Sequence, residues 1–264
     1  MMDEVLHIDE IDGVARVTLN RPDQLNAMNP ALVAALRGYF QALYDRPEIR
    51  VVVLQAAGRA FCCGLDLKEH TIGRDVGVVG MLALQRGIRD ILLAMRRCPQ
   101  PIVCLVQGAA SGGGFALALA SDIRLATPDA RMNAAFIRIG LSGCDVGVSY
   151  FLPRMVGSSV AAHYLLTGRF MDAPRALALG LFSTVAPLPE LQQECESVVA
   201  DMLRAAPLAL RLTKDALGHA IDAAGLEACI ALEDRNQVLC SQTEDFAEGL
   251  QAFLGRREPD YRDR

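Results

Sequence analysis

Apolar positions along the chain recur with two periods, and the alternation between them sets out the elements. Residues 5–8 and 14–19 are short strand-like runs on either side of Asp12-Gly13, a pair suited to a tight hairpin turn. The polar loop 20–30, NRPDQLNAMNP, ends in Asn29-Pro30, which reads as a cap followed by a first-turn proline and predicts a helix to about residue 44. Residues 50–56 contain VVVLQA, a continuous apolar run expected of a strand covered on both faces. Helical spacing returns over 76–95 and stops at the breaker Cys98-Pro99-Gln100-Pro101. Residues 102–106 predict a second buried strand, and 115–120 the first turns of a helix. Residues 122–126 and 131–134 read as strands joined by a turn at Pro128-Asp129. The Gly/Ser-rich loop 139–147 enters a helix at about Val146, with Asp145 at its N-cap position. From there the pattern is mostly helical: 158–166, 173–179, 191–204, 207–220, 226–237 and 243–253.

Strands and helices in this order predict an α/β or α+β body with a helical C-terminal part. No linker or repeat divides the chain. We therefore expect residues 1–200 to form the core and 201–264 a helical region of the same structural unit.

Between the strand 102–106 and the helix after it lies QGAASGGGFA, residues 107–116. Three consecutive glycines there expose backbone N–H groups without a Cβ in the way, and the helix behind adds its unpaired amides and positive end. That suits an anion, or an oxygen that turns negative during reaction. A flexible linker and a phosphate loop are the alternatives; polar linker residues and the GK[ST] ending are both missing. A second segment of interest is GRAFCCGLDLKEH, residues 58–70, where Gly64 permits a sharp turn and Asp66 can cap a helix after it.

Composition narrows the function classes. Hydrophobic residues make up 52% of 264 positions, enough for a substantial core. A net charge of -5, aromatics at 5% and no Trp argue against nucleic-acid binding. The eight cysteines show no CxxC and no His at ligand spacing, so they read as reduced, mostly buried thiols of a cytoplasmic protein without a metal site. Cys62 and Cys63 lie in a loop without a paired His base. The acidic start MMDEVLHIDE does not look like a signal peptide. The uncharged stretch 98–121 is long enough to suggest a membrane span, but its prolines, Gln107 and glycines favour a buried strand–turn–helix.

Taken together, NRPDQLNAMN, GRAFCCGLDLKE, QGAASGGGFALALASDIRLA and the C-terminal QTEDFAEG with AFLGRREP resemble the crotonase superfamily, the enoyl-CoA hydratase/isomerase family. The resemblance runs over nearly the whole chain, with the motifs in family order and spacing. It implies a crotonase-like spiral of ββα units with a helical C-terminal trimerisation region, assembled as a homotrimer or a hexamer of paired trimers. It implies an acyl-CoA thioester as ligand, coenzyme A entering as part of the substrate and no bound cofactor. Two backbone N–H groups would hold the thioester oxygen as an enolate forms: those of Leu65 and Gly113. Ala27, Cys63, Asp66 and Leu67 would line the adenine side. Lys68, Arg256 and Arg257 are candidates for the CoA phosphates, or are ordinary solvated charges.

The chain also departs from the family. The hydratases carry one glutamate two residues after the triplet and another twenty residues further on; here these positions are Ala116 and Phe136. Neither moves a proton, so hydration is expected to be poor and the pocket more apolar. Asp145 matches the place of an aspartate in dienoyl-CoA isomerases, 4-chlorobenzoyl-CoA dehalogenases and dihydroxynaphthoyl-CoA synthases. At a helix N-terminus it would act as a base or nucleophile, or serve only as a cap. Those branches' partner residues are missing. His70 reads as a surface-loop histidine. The expected function is enolate chemistry of the isomerase type using Asp145; the alternative is an acyl-CoA carrier that keeps the hole and lacks the catalysts.

Overall fold

The computed structural model describes residues 5–70 and 76–264. Residues 1–4, the head of the acidic N-terminal segment, lie outside the described residues. Strands β1 (Leu6–Ile11) and β2 (Val14–Leu19) form the expected antiparallel hairpin around Asp12 and Gly13, both with positive φ. Helix α1 (Pro30–Ala42) is capped by the Asn29 side chain, which accepts from Leu32 N–H, and it carries the chain across to β3 (Val51–Ala56). Helix α2 (Gly77–Arg97) makes the next crossover to β4 (Ile102–Val106). Then come β5 (Ala109–Ser111), α3 (Gly113–Ala120), β6 (Ile123–Ala126) and β7 (Arg131–Asn133). A 3-10 turn over Ala135–Ile139 leads through a loop to α4 (Val148–Val156) and α5 (Ser158–Thr167). The short elements β8 (Met171–Asp172), α6 (Ala173–Ala178) and β9 (Thr184–Val185) close the spiral. Helices α7 (Leu188–Leu203), α8 (Pro207–Ala220), α9 (Leu226–Ser241) and α10 (Glu244–Gly255) complete the chain.

The strands form a six-stranded sheet, β1-β2-β3-β4-β6-β9, parallel after the first hairpin, and a three-stranded sheet, β5-β7-β8. The continuous apolar runs are explained by burial on both faces. Val52, Leu54 and Cys104 point into the main core with α1, α2 and α3. Val51, Val53, Val103 and Leu105 face the other way, where Leu191, Cys195 and Val199 of α7 cover them. Helix α3 is buried along its whole length, which is why 98–121 holds no charge.

Lys214 of α8 is a buried ammonium that ties the C-terminal helices to this body. It donates to Met95 O at 3.1 Å, at the end of α2, and to Gln100 O at 2.7 Å, and it pairs with Asp122 at 3.0 Å. The residues after α10 fold back onto that helix: Asp245, itself buried, accepts from the Arg262 and Asp263 N–H groups at 2.7 and 2.9 Å.

Several expectations need correction. The strands β5, β8 and β9 are not expected from the apolar pattern, and α3 begins at Gly113, inside the glycine triplet. Helix α4 begins at Val148 with Gly147 as its N-cap, so Asp145 is not a cap. His70 is buried, its Nε2 lying 2.9 Å from Met28 O, and is no surface residue. All eight cysteines are free, but only Cys62, Cys98, Cys104 and Cys195 are buried. Among the described residues no helix is long and apolar enough to cross a membrane.

Candidate active site

Three loops meet at the triplet. Segment 61–63 runs beside β5, with Phe61 N–H to Gln107 O at 2.7 Å, Cys62 N–H to Ala109 O at 3.1 Å and Ser111 N–H to Cys62 O at 2.9 Å. Met28 and Leu65 form an isolated parallel bridge, Met28 N–H to Gly64 O at 2.7 Å and Asp66 N–H to Met28 O at 3.0 Å. These bonds leave out two groups on the facing segments. Neither the Leu65 nor the Gly113 N–H has a hydrogen-bond partner among the described residues.

Glycine is what lets the loops close this far. A Cβ on Gly64, whose φ is +91°, would lie 2.9 Å from Ser111 O and 3.4 Å from Gly113 N. On Gly113 it would strike Met28 Cε at 2.2 Å, and on Gly114 the Cys62 carbonyl oxygen at 2.1 Å. On Gly112 it would meet the Phe136 ring at 3.3 Å, so each member of the triplet meets a different neighbour and the linker reading is removed.

The loop 20–30 holds this arrangement from behind. Arg21, buried, donates to Ala27 O, to Asp66 Oδ2 at 3.0 Å and to Glu69. Asn26, in a positive-φ conformation, accepts from Arg21 N–H at 2.8 Å and donates to Ala57 O and Ala60 O, both at 2.8 Å. Burial alone would raise the Asp66 carboxyl. Hydrogen bonds from Arg21 and from the Lys68 and Glu69 N–H groups outweigh it and hold the carboxyl below the usual range. Arg21 and Asn26 stand in the NRPDQLNAMN motif, which is the signal that could have assigned them this role.

The other candidate residues are more scattered. Ala116 lies one turn into α3 and is fully buried. Phe136 sits half-buried in the 3-10 turn, its ring 3.3 Å from where a Gly112 Cβ would be. Leu67 is 54% exposed and the Lys68 side chain forms no ion pair among the described residues. Burial pushes the Cys62 thiol up to about 12 and raises Cys63 as well, with Arg131 and Arg59 opposing the shift at Cys63. Arg59 stands in the same segment as Cys63, but nothing in the local sequence places Arg131 beside it. Arg256 ends α10 in a left-handed conformation, and Arg257 is held by Glu248 through two bonds of 2.5 and 2.7 Å.

Asp145 lies half-buried in the loop before α4. Its Oδ1 accepts from Val146 N–H at 2.8 Å and from Gln85 Nε2 of α2. A cleft of about 1870 Å³ opens between α2, α4 and α8, and Gln85, Val146 and Gly147 form part of its wall. Asp145 itself, Leu65, Gly113, Ala116 and Phe136 are not among its lining residues.

A mixed α/β spiral with two open backbone donors beside a glycine triplet defines the class, and comparison with known proteins agrees. The chain belongs to the enoyl-CoA hydratase/isomerase family of the crotonase superfamily, whose sequence pattern matches residues 9–264. Probable enoyl-CoA hydratase EchA12 of Mycobacterium tuberculosis is 37% identical over 259 residues, 95% of this chain and 90% of its own length. The 1,2-epoxyphenylacetyl-CoA isomerase of Escherichia coli is 30% identical over 267 residues, 99% of both chains. The crystal structure of an enoyl-CoA hydratase from Bacillus anthracis superposes with a TM-score of 0.92 at 29% identity, covering 98% of this chain and 100% of that one.

Proposed function

We propose that the protein binds an acyl-CoA thioester and moves a proton on it through an enolate, with the Leu65 and Gly113 N–H groups as oxyanion donors and Asp145 as the base. The observation that carries this reading is the pair of unpartnered N–H groups, among the described residues, on two loops locked together by hydrogen bonds. Preorganised donors of this kind stabilise a developing oxyanion, and losing one costs about 3 kcal/mol elsewhere.

Side-chain chemistry separates the reactions. Hydration adds water across a double bond and needs groups to activate the water and to protonate carbon, and positions 116 and 136 supply neither. Isomerisation needs one carboxylate. Asp145 takes a proton from C2 of a 3-enoyl thioester, and the C2–H electrons form the C1–C2 double bond of an enolate whose oxygen the two N–H groups hold. When the enolate collapses, those electrons form the C2–C3 double bond and the C3–C4 electrons take the same proton at C4. Atoms and charge balance without a second group. The helix cap role that competed for Asp145 belongs to Gly147, which supports the base. An isomerase among the relatives is consistent with this direction.

For the coenzyme, Ala27, Cys63 and Leu67 lie on the loops that carry the hole, and Lys68 next to them forms no ion pair among the described residues. The Asp66 side chain is committed to Arg21 and its N–H to Met28 O, and Arg257 is already paired with Glu248. The exposed apolar residues of α9 and α10, Leu226, Val238, Phe253 and Leu254, fit the helical region as a trimer or hexamer interface.

Crotonyl-CoA hydration, followed beside isomerisation of a 3-enoyl-CoA and a dienoyl-CoA, tests the reading. Isomerisation lost in Asp145→Asn, with little hydration, is the expected result. Hydration at rates ordinary for the family overturns it. Tight acyl-CoA binding without turnover replaces it with a carrier.

A further inference from the structure

The Asp145 carboxylate is held unevenly. Both donors that reach it, the Gln85 side-chain amide from α2 and the Val146 backbone N–H, bond to the same oxygen, Oδ1. No donor among the described residues engages Oδ2. The backbone next to it is equally specific. Val146 has a φ of 38°, in the left-handed region that a β-branched residue rarely occupies, and strain of this kind persists only where the surroundings fix it. Val146 packs against the main core, and Gly147 at φ 90° turns the chain into α4. The strained peptide is therefore the one whose N–H holds Oδ1.

We propose that Gln85 is a positioning residue that, with Val146 N–H, anchors Oδ1 of Asp145 and leaves Oδ2 as the oxygen that takes the substrate proton. The inference depends on the reading of Asp145 given above. An aspartate carboxyl rotates in a broad, two-fold well, so its two oxygens exchange unless one is tied. Tying one presents the other in a fixed direction, and orientation of this sort contributes to rate without contributing to binding. Gln85 is itself exposed, so it can be replaced without opening the core.

The test is deuterium uptake at C2 of a saturated acyl-CoA in heavy water, which reports enolate formation whatever the acyl preference, for the wild type, Gln85→Met, Gln85→Glu and Asp145→Asn. Methionine keeps the length and removes the donor. The expected result is a fall in the maximal exchange rate of about tenfold in Gln85→Met, on the scale of a lost hydrogen bond to a charged group. Acyl-CoA affinity by calorimetry and the thermal midpoint should stay as in the wild type. Gln85→Glu, which sets a second carboxylate against the first, should fall further. An unchanged rate in Gln85→Met, or a loss matched by lost affinity or a lowered midpoint, overturns the positioning role while leaving Asp145 as base. Exchange that survives Asp145→Asn, or is absent from the wild type, overturns the assignment of Asp145 and this inference with it.

Discussion

Two parts of the proposed site are built in opposite ways. The segments around Gly64 and Gly113 offer main-chain groups, are cross-linked by backbone hydrogen bonds, and are packed so closely that a Cβ on Gly114 would meet a carbonyl at 2.1 Å. The loop that carries Asp145 offers a side chain, is half-exposed, and is held by one amide from α2 and one strained peptide. In the function proposed above, the first part accepts the negative charge and the second moves the proton. In that reading the chemistry rests on side chains and the charge on main chain; Ala116 in α3 and Phe136 in the 3-10 turn, the positions compared above with the family's glutamates, stand beside the triplet and not on the Asp145 loop.

The contrast can be broken or sharpened by substitution. The largest effect is expected from Asp145→Asn: a loss of about 10²- to 10⁴-fold in turnover, the scale of general acid–base catalysis, with acyl-CoA affinity by calorimetry unchanged. Arg21→Met should come next, because it leaves the Asp66 carboxylate buried without its partner, at a cost of about 3–5 kcal/mol in denaturant unfolding. The pH dependence of that variant derives from the lowered Asp66 carboxyl. In the wild type its contribution is complete above the unfolded carboxyl value, near pH 4, and is lost as pH falls through the lower folded value. Stability of Arg21→Met should vary less across that acid window. Gly114→Ala should destabilise by about 1–3 kcal/mol through overpacking against Cys62, and should reduce turnover by displacing Gly113. The smallest effect is expected from Leu65→Ala. It keeps the N–H, so turnover should stay within about threefold of wild type, far from the roughly hundredfold or greater loss expected when an oxyanion donor is removed. A large loss in Leu65→Ala would show that packing of its side chain against the core, beyond its peptide, is needed to hold the loop.

Much of the fold was legible because it is written locally. Val51–Ala56 and Ile102–Val106 are apolar without a break because both their faces are covered, and Asn29-Pro30 and Cys98-Pro99 mark helix ends through their own backbone chemistry. The features that escaped depend on partners far along the chain. Met171–Asp172 is a strand only because Met132 pairs with it, and two residues carry no period of their own. His70 looks like a loop residue until Met28 O, forty-two positions away, receives its ring. The close approach of the two loops was legible through their glycines. The hold on Asp145 was not, because Gln85 lies sixty residues upstream in an ordinary exposed helical position.

The parallel bridge between Met28 and Leu65 has an evolutionary consequence. It uses the Gly64 carbonyl and the Asp66 N–H and leaves the Leu65 N–H open, like the last rung of a ladder awaiting a further strand. A donor made of main chain is encoded by no side chain, so a mutation at residue 65 to anything but proline preserves it. The vulnerability of the proposed hole is concentrated instead in the glycines that let the loops meet. Substitution at those glycines, not at residue 65, is what would dismantle the place where the proposed reaction puts its charge.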